Sequence, residues 1–407
     1  MKNDLDRLMA EAGVEGLLVT GAGQHNPYMV YLTGGAHLTK ADLIKKRGYP
    51  PVLFHGPMER DEAARSGLHT ISYSAYPMQQ LLAETNDDMF QAIVLRYERM
   101  LGEAGIIEGV VCLYGQTDLG QGYAIFNELQ KRMPQITFTG GSQQDIFQQA
   151  MATKDVDEIN RIRQMGKIVV SVTERLVDFL SGQKAKGNRL VNHEGQPITV
   201  GEVKKKINLW LAEAGGENPE GTIFAIGRDA GVPHSTGSAG DYLDLGKTIV
   251  FDFFPCEPGG GYFYDFTRTW CLGYAPDEVQ QLYSQVFEVY QKVTSQLRAG
   301  ELFSHYQTQT CELFEAMGHP TVMTDAQTEE GYVHSIGHGL GLHIHEKPFP
   351  GLGSSEVLLT GSVFTIEPGL YYPDRGMGIR LEDSWWITPD GKAEILVEYP
   401  KQLIIPI

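Results

Sequence analysis

Acidic residues inside apolar, strand-like runs constrain the fold of this chain more than any other feature of its sequence. Asp252 lies in TIVFDFFP, Asp265 in YFYDFTRTW, Glu367 in SVFTIEPGLYY and Glu382 in GIRLEDSWWIT. An ionised carboxylate in an apolar core is unfavourable by several kcal/mol unless it is paired or binds a cation. These acids therefore need a shared explanation, which is either a network of buried salt bridges or a set of bound cations.

The order of residues along these runs predicts which side chains share a face. Alternation along a strand puts Thr267 beside Asp265 and Arg380 beside Glu382. Between Asp252 and Asp265 the run FFPCEPGGGYFY is rich in proline and glycine, which predicts a hairpin with the two aspartates on neighbouring strands. Among the nearby basic residues only Arg380 is well placed to neutralise an acid, so divalent cations explain the pattern better than salt bridges.

Histidines and glycines are concentrated in VHSIGHGLGLHIHEKPF, at positions 333–349. Gly337, Gly339 and Gly341 weaken both a helix and a strand, and we expect them to let the backbone pass close to a metal site. Imidazole is the commonest metal ligand and a proton carrier near neutral pH. His338 would add a nitrogen to the oxygen ligands, a donor set that suits Mn²⁺, Co²⁺ or Zn²⁺. The alternative is a loop that carries surplus surface histidines.

Two domains are predicted from the order of helical and strand patterns. Over residues 1–150 the two patterns alternate, which predicts an α/β domain with a mixed or parallel sheet. Its strand candidates are VEGLLVT, PPVLFHG, GVVCLYG and QITFTGG. A long helix ending at Gly182 opens the second domain, 151–407, and further helices are expected around 277–298 and 301–317.

Composition limits the partners and the compartment. The 407-residue chain has 33 Lys and Arg against 51 Asp and Glu, a net charge of −18, which argues against nucleic acid and anionic membranes as partners. Its four cysteines are scattered without a CxxC pair, so we expect free and mostly buried thiols. The amino-terminal pattern is not that of a signal peptide and no apolar run approaches a membrane span, so a cytoplasmic location is expected.

Taken in order, the acidic phrases and the histidine run resemble those of the dinuclear metallopeptidases of the pita-bread fold. That family includes methionine aminopeptidase, aminopeptidase P and prolidase. The resemblance covers roughly residues 150–400, and NPYMVYLTGG at 26–35 more weakly resembles the amino-terminal domain of the creatinase/prolidase branch. It implies an α/β amino-terminal domain of that type over 1–150, followed by an α+β pita-bread catalytic domain over 151–407.

By position, the resemblance assigns roles to individual residues. The implied metal ligands are Asp252, Asp265, His338, Glu367 and Glu382. Asp265 and Glu382 would bridge two ions. Asp252 would bind one ion, and His338 with Glu367 would bind the other.

Further residues would serve the substrate or the ligands. The resemblance makes His234, in GVPHSTG, and His345 substrate-facing, and it places His334 beside the ligands. Thr267 and Arg380 would support the carboxylates. The interval between the two aspartates is slightly longer than is usual in the family, with Phe254 where glycine is common. A shift of one residue in the register would turn Asp265 to the opposite face of the sheet.

The implied activity is hydrolysis of Xaa-Pro bonds, at the amino terminus of peptides or in dipeptides, by a hydroxide that bridges two metal ions. Glu367 would take the proton from that water. Manganese is the expected metal, with cobalt or zinc as alternatives. A small peptide with proline at the second position would be the substrate, and a homodimer is expected by resemblance.

Aminopeptidase P and prolidase are not separated by the sequence, although the short Glu367–Glu382 interval is closer to compact prolidases. The alternatives are a pita-bread enzyme that does not cut peptides, such as a creatinase-like amidinohydrolase or a lyase, and a non-catalytic binding module. Members of both kinds have generally lost metal ligands, whereas all five positions are filled here.

Overall fold

The structure is a computed structural model, and it describes residues 4–141 and 145–407. Two compact units account for these residues. The first contains the chain up to Met151 together with Gly259–Gly261, and the second contains Ala152–Pro258 and Tyr262–Ile407. All the acidic residues and histidines singled out above belong to the second unit.

The first unit is built on a mixed sheet with the strand order β4-β3-β2-β1-β5-β6. Its strands are β1 (Gly16–Gly21), β2 (Ala41–Lys46), β3 (Val52–His55), β4 (His69–Ser72), β5 (Gly109–Gly115) and β6 (Ile136–Thr139). Its helices are α1 (Leu5–Glu11), α2 (Pro27–Thr33), α3 (Arg60–Arg65), α4 (Met78–Glu84), α5 (Met89–Glu103), α6 (Leu119–Arg132) and α7 (Ile146–Met151). β2 is antiparallel to its two neighbours, and the other pairs are parallel.

Helices α5 and α6 cover one face of this sheet. Their apolar residues, among them Val94, Met100 and Leu129, pack against Leu18 of β1 and Val111 of β5 in one buried cluster. Burial of each large apolar side chain stabilises the unit by about 1.5–3 kcal/mol. The mixed α/β sheet expected from the sequence is therefore present. The sequence prediction missed β2 and β4.

The second unit contains several small sheets and four long helices in the described part of the chain. Its strands are β7 (Lys184–Lys186), β8 (Arg189–Val191), β9 (Thr222–Ile226), β10 (Thr248–Phe253), β11 (Thr267–Leu272), β12 (Val363–Ile366), β13 (Gly369–Tyr372), β14 (Met377–Arg380), β15 (Asp383–Ile387), β16 (Ala393–Ile395) and β17 (Ile404–Ile405). Its helices are α8 (Val156–Ser181), α9 (Val200–Glu213), α10 (Asp277–Thr294) and α11 (Phe303–Ala316).

The sheets of this unit are mainly antiparallel. One has the order β17-β11-β10-β9, a second has β12-β15-β16, and β13 pairs with β14. Helices α10 and α11 bury their apolar faces against β12, β13, β14 and β15 in a second core cluster.

Local sequence signals explain the helix that opens this unit. Asp155 and Glu158 form a reciprocal capping box, in which each carboxylate accepts a hydrogen bond from the backbone N–H of the other residue. Gly182 is the residue at its carboxyl-terminal end, as the sequence predicted. All four cysteines are free and buried, also as predicted. Among the described residues no helix combines the length and apolarity that crossing a membrane requires.

Candidate metal centre

The strands of the second unit bring the predicted acidic ligands to one cavity. Asp252 lies in β10, and its register partner on the antiparallel strand β11 is Thr267. Asp265 comes two residues before β11 begins, which confirms the predicted hairpin. An isolated bridge pairs Thr267 with Glu382, so the acid that precedes β15 meets the same strand. Glu367 directly follows β12.

The acids differ from the sequence prediction in one respect. Only Asp252 lies inside a strand, whereas Asp265, Glu367 and Glu382 lie at or beside strand ends. Backbone at a strand end is free to turn its side chain out of the ladder, so the carboxylates reach a common space. Together with His234, His338, His345 and Arg380 they line a cavity of about 300 Å³.

Three of these residues are close enough to bind one ion. One ligand atom from each of Asp265, His338 and Glu382 lies within 4.8 Å of the others, and all three side chains are buried. Nε2 of His338 is 3.4 Å from Oδ2 of Asp265 and 3.8 Å from Oε1 of Glu367. The fourth acid, Asp252, lines the same cavity.

The hydrogen bonds of His338 orient its ring for this purpose. Nδ1 is 3.0 Å from the carbonyl oxygen of Gly339, and a carbonyl can only accept, so Nδ1 carries the proton. Nε2, on the other side of the ring, faces the carboxylates of Asp265 and Glu367. A backbone carbonyl that fixes the tautomer in this way is the usual support of a metal-binding histidine.

Arg380 and Thr267 support the acids, but not in the pairs that strand alternation suggested. Nη2 of Arg380 donates to Oδ2 of Asp252 at 2.5 Å, and its Nε donates to the hydroxyl of Thr267 at 3.2 Å. The hydroxyl of Thr267 in turn donates to Oε2 of Glu382 at 2.7 Å. The guanidinium of Arg380 thus binds Asp252 of β10, because β14 lies against β10.

The remaining carboxylate oxygens test whether the site fits a metal. Oδ1 of Asp252, Oδ1 of Asp265 and Oε1 of Glu382 are buried and have no hydrogen-bond partner among the described residues. Buried acceptors of this kind are rare unless an ion or water binds them. A single arginine cannot neutralise this group of acids. The orphaned oxygens and the free nitrogen of His338 therefore fit divalent cations.

The protonation of the metal-free site agrees with that interpretation. Burial, followed by the charge of Asp252, raises the pKa of Asp265 well above its usual range. Burial, followed by the charge of Asp265, does the same for Glu382. Burial and the charge of Glu382 raise the pKa of Glu367 to about 8. Without cations the acids are therefore forced to retain protons.

His345 stands next to His338 at the cavity. Their rings meet edge to face, with centroids 4.3 Å apart and planes at 82°. Part of His345 is exposed to solvent, but the protein around its ring desolvates the charged form and lowers its pKa to about 4. The charges of His338 and His234 lower this pKa further. The ring is therefore neutral near pH 7. His234 lies on the cavity wall, where Arg380 binds the carbonyl of the preceding residue, Pro233, at 3.2 Å.

Tyr371 is a member of this network that sequence reasoning missed. Nη1 of Arg380 donates to its hydroxyl at 3.0 Å, and Nε2 of His334 lies 2.8 Å from the same oxygen. Nδ1 of His334 contacts the carbonyl oxygen of Ser335, so Nε2 accepts the tyrosine proton. Burial lowers the pKa of His334 to about 3, which keeps that ring neutral. His334 is not among the residues that line the cavity, and it contacts this network through the hydroxyl of Tyr371.

Five further residues complete the cavity, and of these only Phe254 was noted in the sequence. These further lining residues are Glu220, Ile223, Thr236, Phe254 and Ile344. Phe254 packs against the small apolar cluster that contains Ile223 and Val250. A motif search could not have found them, because they come from unrelated loops and strand ends.

The glycines of the histidine run lie where the backbone packs closely against neighbouring segments. A Cβ on Gly337 would lie 2.0 Å from the carbonyl oxygen of Thr365, and one on Gly339 would lie 2.2 Å from that of Lys347. A Cβ on Gly341 would lie 2.2 Å from Oε1 of Glu346. The run does pass the candidate metal centre, to which it contributes His338, but the close approaches at these glycines are to neighbouring backbone and to a carboxylate.

Behind the acids, a buried arginine fixes the backbone. Nη1 of Arg268 donates to the carbonyl oxygens of Thr267 and Glu382 at 2.9 and 2.7 Å, and Nη2 donates to Oδ1 of Asp383 at 2.7 Å. Lys401 contacts the other oxygen of Asp383 at 2.6 Å. Burial alone would raise the pKa of Asp383, but Arg268 and Lys401 outweigh it and hold the pKa below its ordinary value.

Comparison with known protein families agrees with the candidate metal centre and the fold described above. Residues 160–389 match the metallopeptidase family M24, so the chain belongs to that family. The probable dipeptidase PepE of Mycobacterium tuberculosis is 29% identical over 261 residues, which are 64% of this chain and 62% of that protein. The Xaa-Pro dipeptidase of Pyrococcus furiosus is 30% identical over 204 residues, 50% of this chain and 55% of that protein. The alignments thus span less than two thirds of either relative.

A solved structure extends the likeness to nearly the whole chain. The X-Pro aminopeptidase from Thermotoga maritima superposes on this chain with a TM-score of 0.75 at 21% identity, covering 98% of this chain and 99% of that one. At this identity the likeness shows a shared fold. The expected fold class, an α/β amino-terminal domain followed by a pita-bread domain, is confirmed.

Proposed function

We propose that this chain hydrolyses Xaa-Pro bonds in small peptides with the help of two divalent cations. The observation that carries the proposal is the set of orphaned oxygens of Asp252, Asp265 and Glu382, which are buried in the cavity that His338 also lines. The named activities of the M24 relatives, a Xaa-Pro dipeptidase and an X-Pro aminopeptidase, support the substrate class. The cavity of about 300 Å³ suits a small ligand.

Five residues would hold the cations, with manganese as the proposed metal and cobalt or zinc as alternatives. They are Asp252, Asp265, His338, Glu367 and Glu382. When bound, the cations would polarise the peptide carbonyl and lower the pKa of water. Arg380 and Thr267 would keep Asp252 and Glu382 in place through the hydrogen bonds described above.

The remaining steps fall to side chains of this chain. Glu367, whose carboxylate lines the cavity beside His338, would accept a proton from the attacking water and pass it to the leaving nitrogen. His345, neutral near pH 7, would donate a hydrogen bond to the oxygen of the scissile carbonyl as charge develops there. His234 would contact the peptide from the opposite wall. A proline amide has no N–H to donate, so the cavity must recognise it by shape.

Two assignments extend the proposal beyond the site. Residues 1–150 would form a creatinase/prolidase-like domain, on the evidence of NPYMVYLTGG, which begins with the cap of α2. A homodimer is the proposed assembly, by resemblance to relatives with that domain.

The decisive experiment offers Ala-Pro and Ala-Pro-Ala to the purified protein with Mn²⁺, Co²⁺ or Zn²⁺. Cleavage of the dipeptide alone would assign a dipeptidase, and cleavage of the tripeptide to release alanine would assign an aminopeptidase. Ala-Ala and Ala-Ala-Ala are the matched controls for proline. Cleavage of no Xaa-Pro substrate with any of these metals would overturn the proposal and favour a non-peptidase member of the family.

A further inference from the structure

A buried ion pair outside the cavity holds the segment that carries His338 and His345. Nζ of Lys154, just before helix α8, contacts Oε1 of Glu346, and both side chains are 1% exposed. The two residues are 192 positions apart in sequence. A buried pair of this kind stabilises a fold little on balance, because desolvation of both charges offsets their attraction. The pair therefore matters chiefly for the segments that it holds in place.

Glu346 binds the histidine run at several points. Its Oε2 accepts a hydrogen bond from the backbone N–H of His343 at 3.3 Å, and its own backbone N–H donates to the carbonyl of Gly339 at 2.9 Å. The carboxylate also lies against Gly341, where a Cβ would come within 2.2 Å of Oε1. The side chain thus occupies the inside of the loop from His338 to His345, and only glycine leaves room for it.

Lys154 anchors that carboxylate to the body of the unit. Its backbone N–H donates to the carbonyl oxygen of Gly361 at 2.8 Å, two residues before β12 begins. β12 leads to Glu367, so the same lysine is attached to the segment that carries His338 and to the segment that carries Glu367. The next residue, Asp155, caps α8 and fixes the backbone on the other side.

We propose that the Lys154–Glu346 pair is a positioning device that sets the loop 338–346, so that the rings of His338 and His345 face the same cavity. This inference rests on the proposed function for its kinetic consequence, but the placement of His338 can be measured without turnover. Neither residue lines the cavity, so their effect must act through the loop.

The test compares the single variants Lys154→Met and Glu346→Gln with the double variant Lys154→Met/Glu346→Leu. Each single variant breaks the ion pair while one of its charges stays buried, so it should lower the free energy of unfolding. The double variant removes both charges and should regain most of that loss. If the pair positions the loop, the double variant should still show kcat about 10²-fold below the parent, with a smaller change in KM.

Cobalt reports on the site without any substrate. Titration of metal-free protein with Co²⁺, followed by visible absorption, measures the affinity and the ligand geometry to which His338 contributes. We expect weaker binding and an altered spectrum in the double variant. The matched control is Arg189→Met/Asp244→Leu, which removes an ion pair of the same unit between Nε and Oδ1 at 3.0 Å, away from the cavity. It should leave both readouts unchanged.

The outcomes separate this inference from the proposed function. A double variant with restored stability, parental kcat and a parental Co²⁺ spectrum would show that the pair is merely structural. If the parent cuts no Xaa-Pro substrate but the Co²⁺ spectrum still changes in the double variant, the proposed function fails and the positioning role stands.

Discussion

The hydroxyl of Thr267 links Glu382 to Asp252 through a short chain of hydrogen bonds. It donates to Oε2 of Glu382 at 2.7 Å and accepts from Nε of Arg380, which itself binds Asp252 through Nη2. The other oxygen of Glu382 is left without a partner among the described residues. The hydroxyl therefore determines which carboxylate oxygen remains available for a cation.

Replacement of Thr267 should weaken metal binding without unfolding the protein. In Thr267→Val the shape is kept, but Glu382 loses its donor, and we expect Mn²⁺ affinity to fall about 10–100-fold. Isothermal titration of metal-free protein measures this directly. Thr267→Ser keeps the hydroxyl and is the matched control. Equal affinities in the valine and serine variants would exclude this role.

Glu367→Gln should separate metal binding from catalysis. The amide retains an oxygen that can bind a cation, but it cannot take up a proton, so most metal should remain and kcat should drop about 10²–10⁴-fold. Metal content by elemental analysis and steady-state kinetics on Ala-Pro give the two numbers. Full activity in this variant would remove the proposed proton transfer.

Loss of the neutral imidazole at position 345 should impair the chemical step. His345→Ala should keep the metal content of the parent and lose about 10²–10³-fold in kcat, because a hydrogen bond to developing charge is missing. His343→Ala, two residues earlier in the same loop, is the control and should remain active. A variant at position 345 that loses metal instead would make that histidine a ligand.

Metal-free protein should lose stability as the pH rises. Burial raises the pKa of Glu367 from 4.5 in its ordinary state to about 8, so folding favours its protonated form. The stability that this group contributes is complete below its unfolded pKa and disappears as the pH passes through about 8. Asp265 and Glu382 are shifted in the same direction.

Urea unfolding of chelated protein between about pH 5 and about pH 9 measures this loss. Saturating Mn²⁺ should reverse the trend, because cations stabilise the ionised acids and bind only the folded state. Metal-free Glu367→Gln should show a smaller dependence on pH. A stability that rises with pH in the metal-free parent would contradict the assignment.

The buried network of Arg268 gives an opposite pH dependence. Asp383→Asn removes the partner of Arg268 and Lys401 and should destabilise the protein by about 3–5 kcal/mol at neutral pH. Because the pKa of Asp383 is lowered in the folded state, its contribution is present above the unfolded pKa and is lost as the pH falls through the folded value. The difference between parent and variant should therefore shrink in acid. A difference that is constant with pH would show that charge is not responsible.

Much of the site could be predicted because its ligands are chemically conspicuous. An ionised carboxylate in an apolar run, such as Asp252 in TIVFDFFP, is unfavourable unless something binds it, so it marks a candidate ligand. The hairpin from Asp252 to Asp265 follows from the proline and glycine between them. Long helices such as α8 follow from their period and caps.

Contacts between distant strands could not be predicted in the same way. The sequence places Arg380 two residues before Glu382, yet its guanidinium binds Asp252, because β14 packs against β10. Strand β2 was missed because Asp42 and Lys45 interrupt its apolar pattern although both are buried in the structure. Pairing of side chains far apart in sequence depends on topology, which a local pattern does not contain.

The crowding around the glycine run also bears on how this protein tolerates change. In a saturation mutagenesis experiment Gly337, Gly339 and Gly341 should reject even alanine, because an added methyl group would overlap backbone or carboxylate atoms. The alternating Leu340 and Leu342 are fully enclosed, and there an isomeric aliphatic residue should be accepted. A change of substrate range is therefore better sought at Ile223 and Phe254, which line the cavity outside this loop.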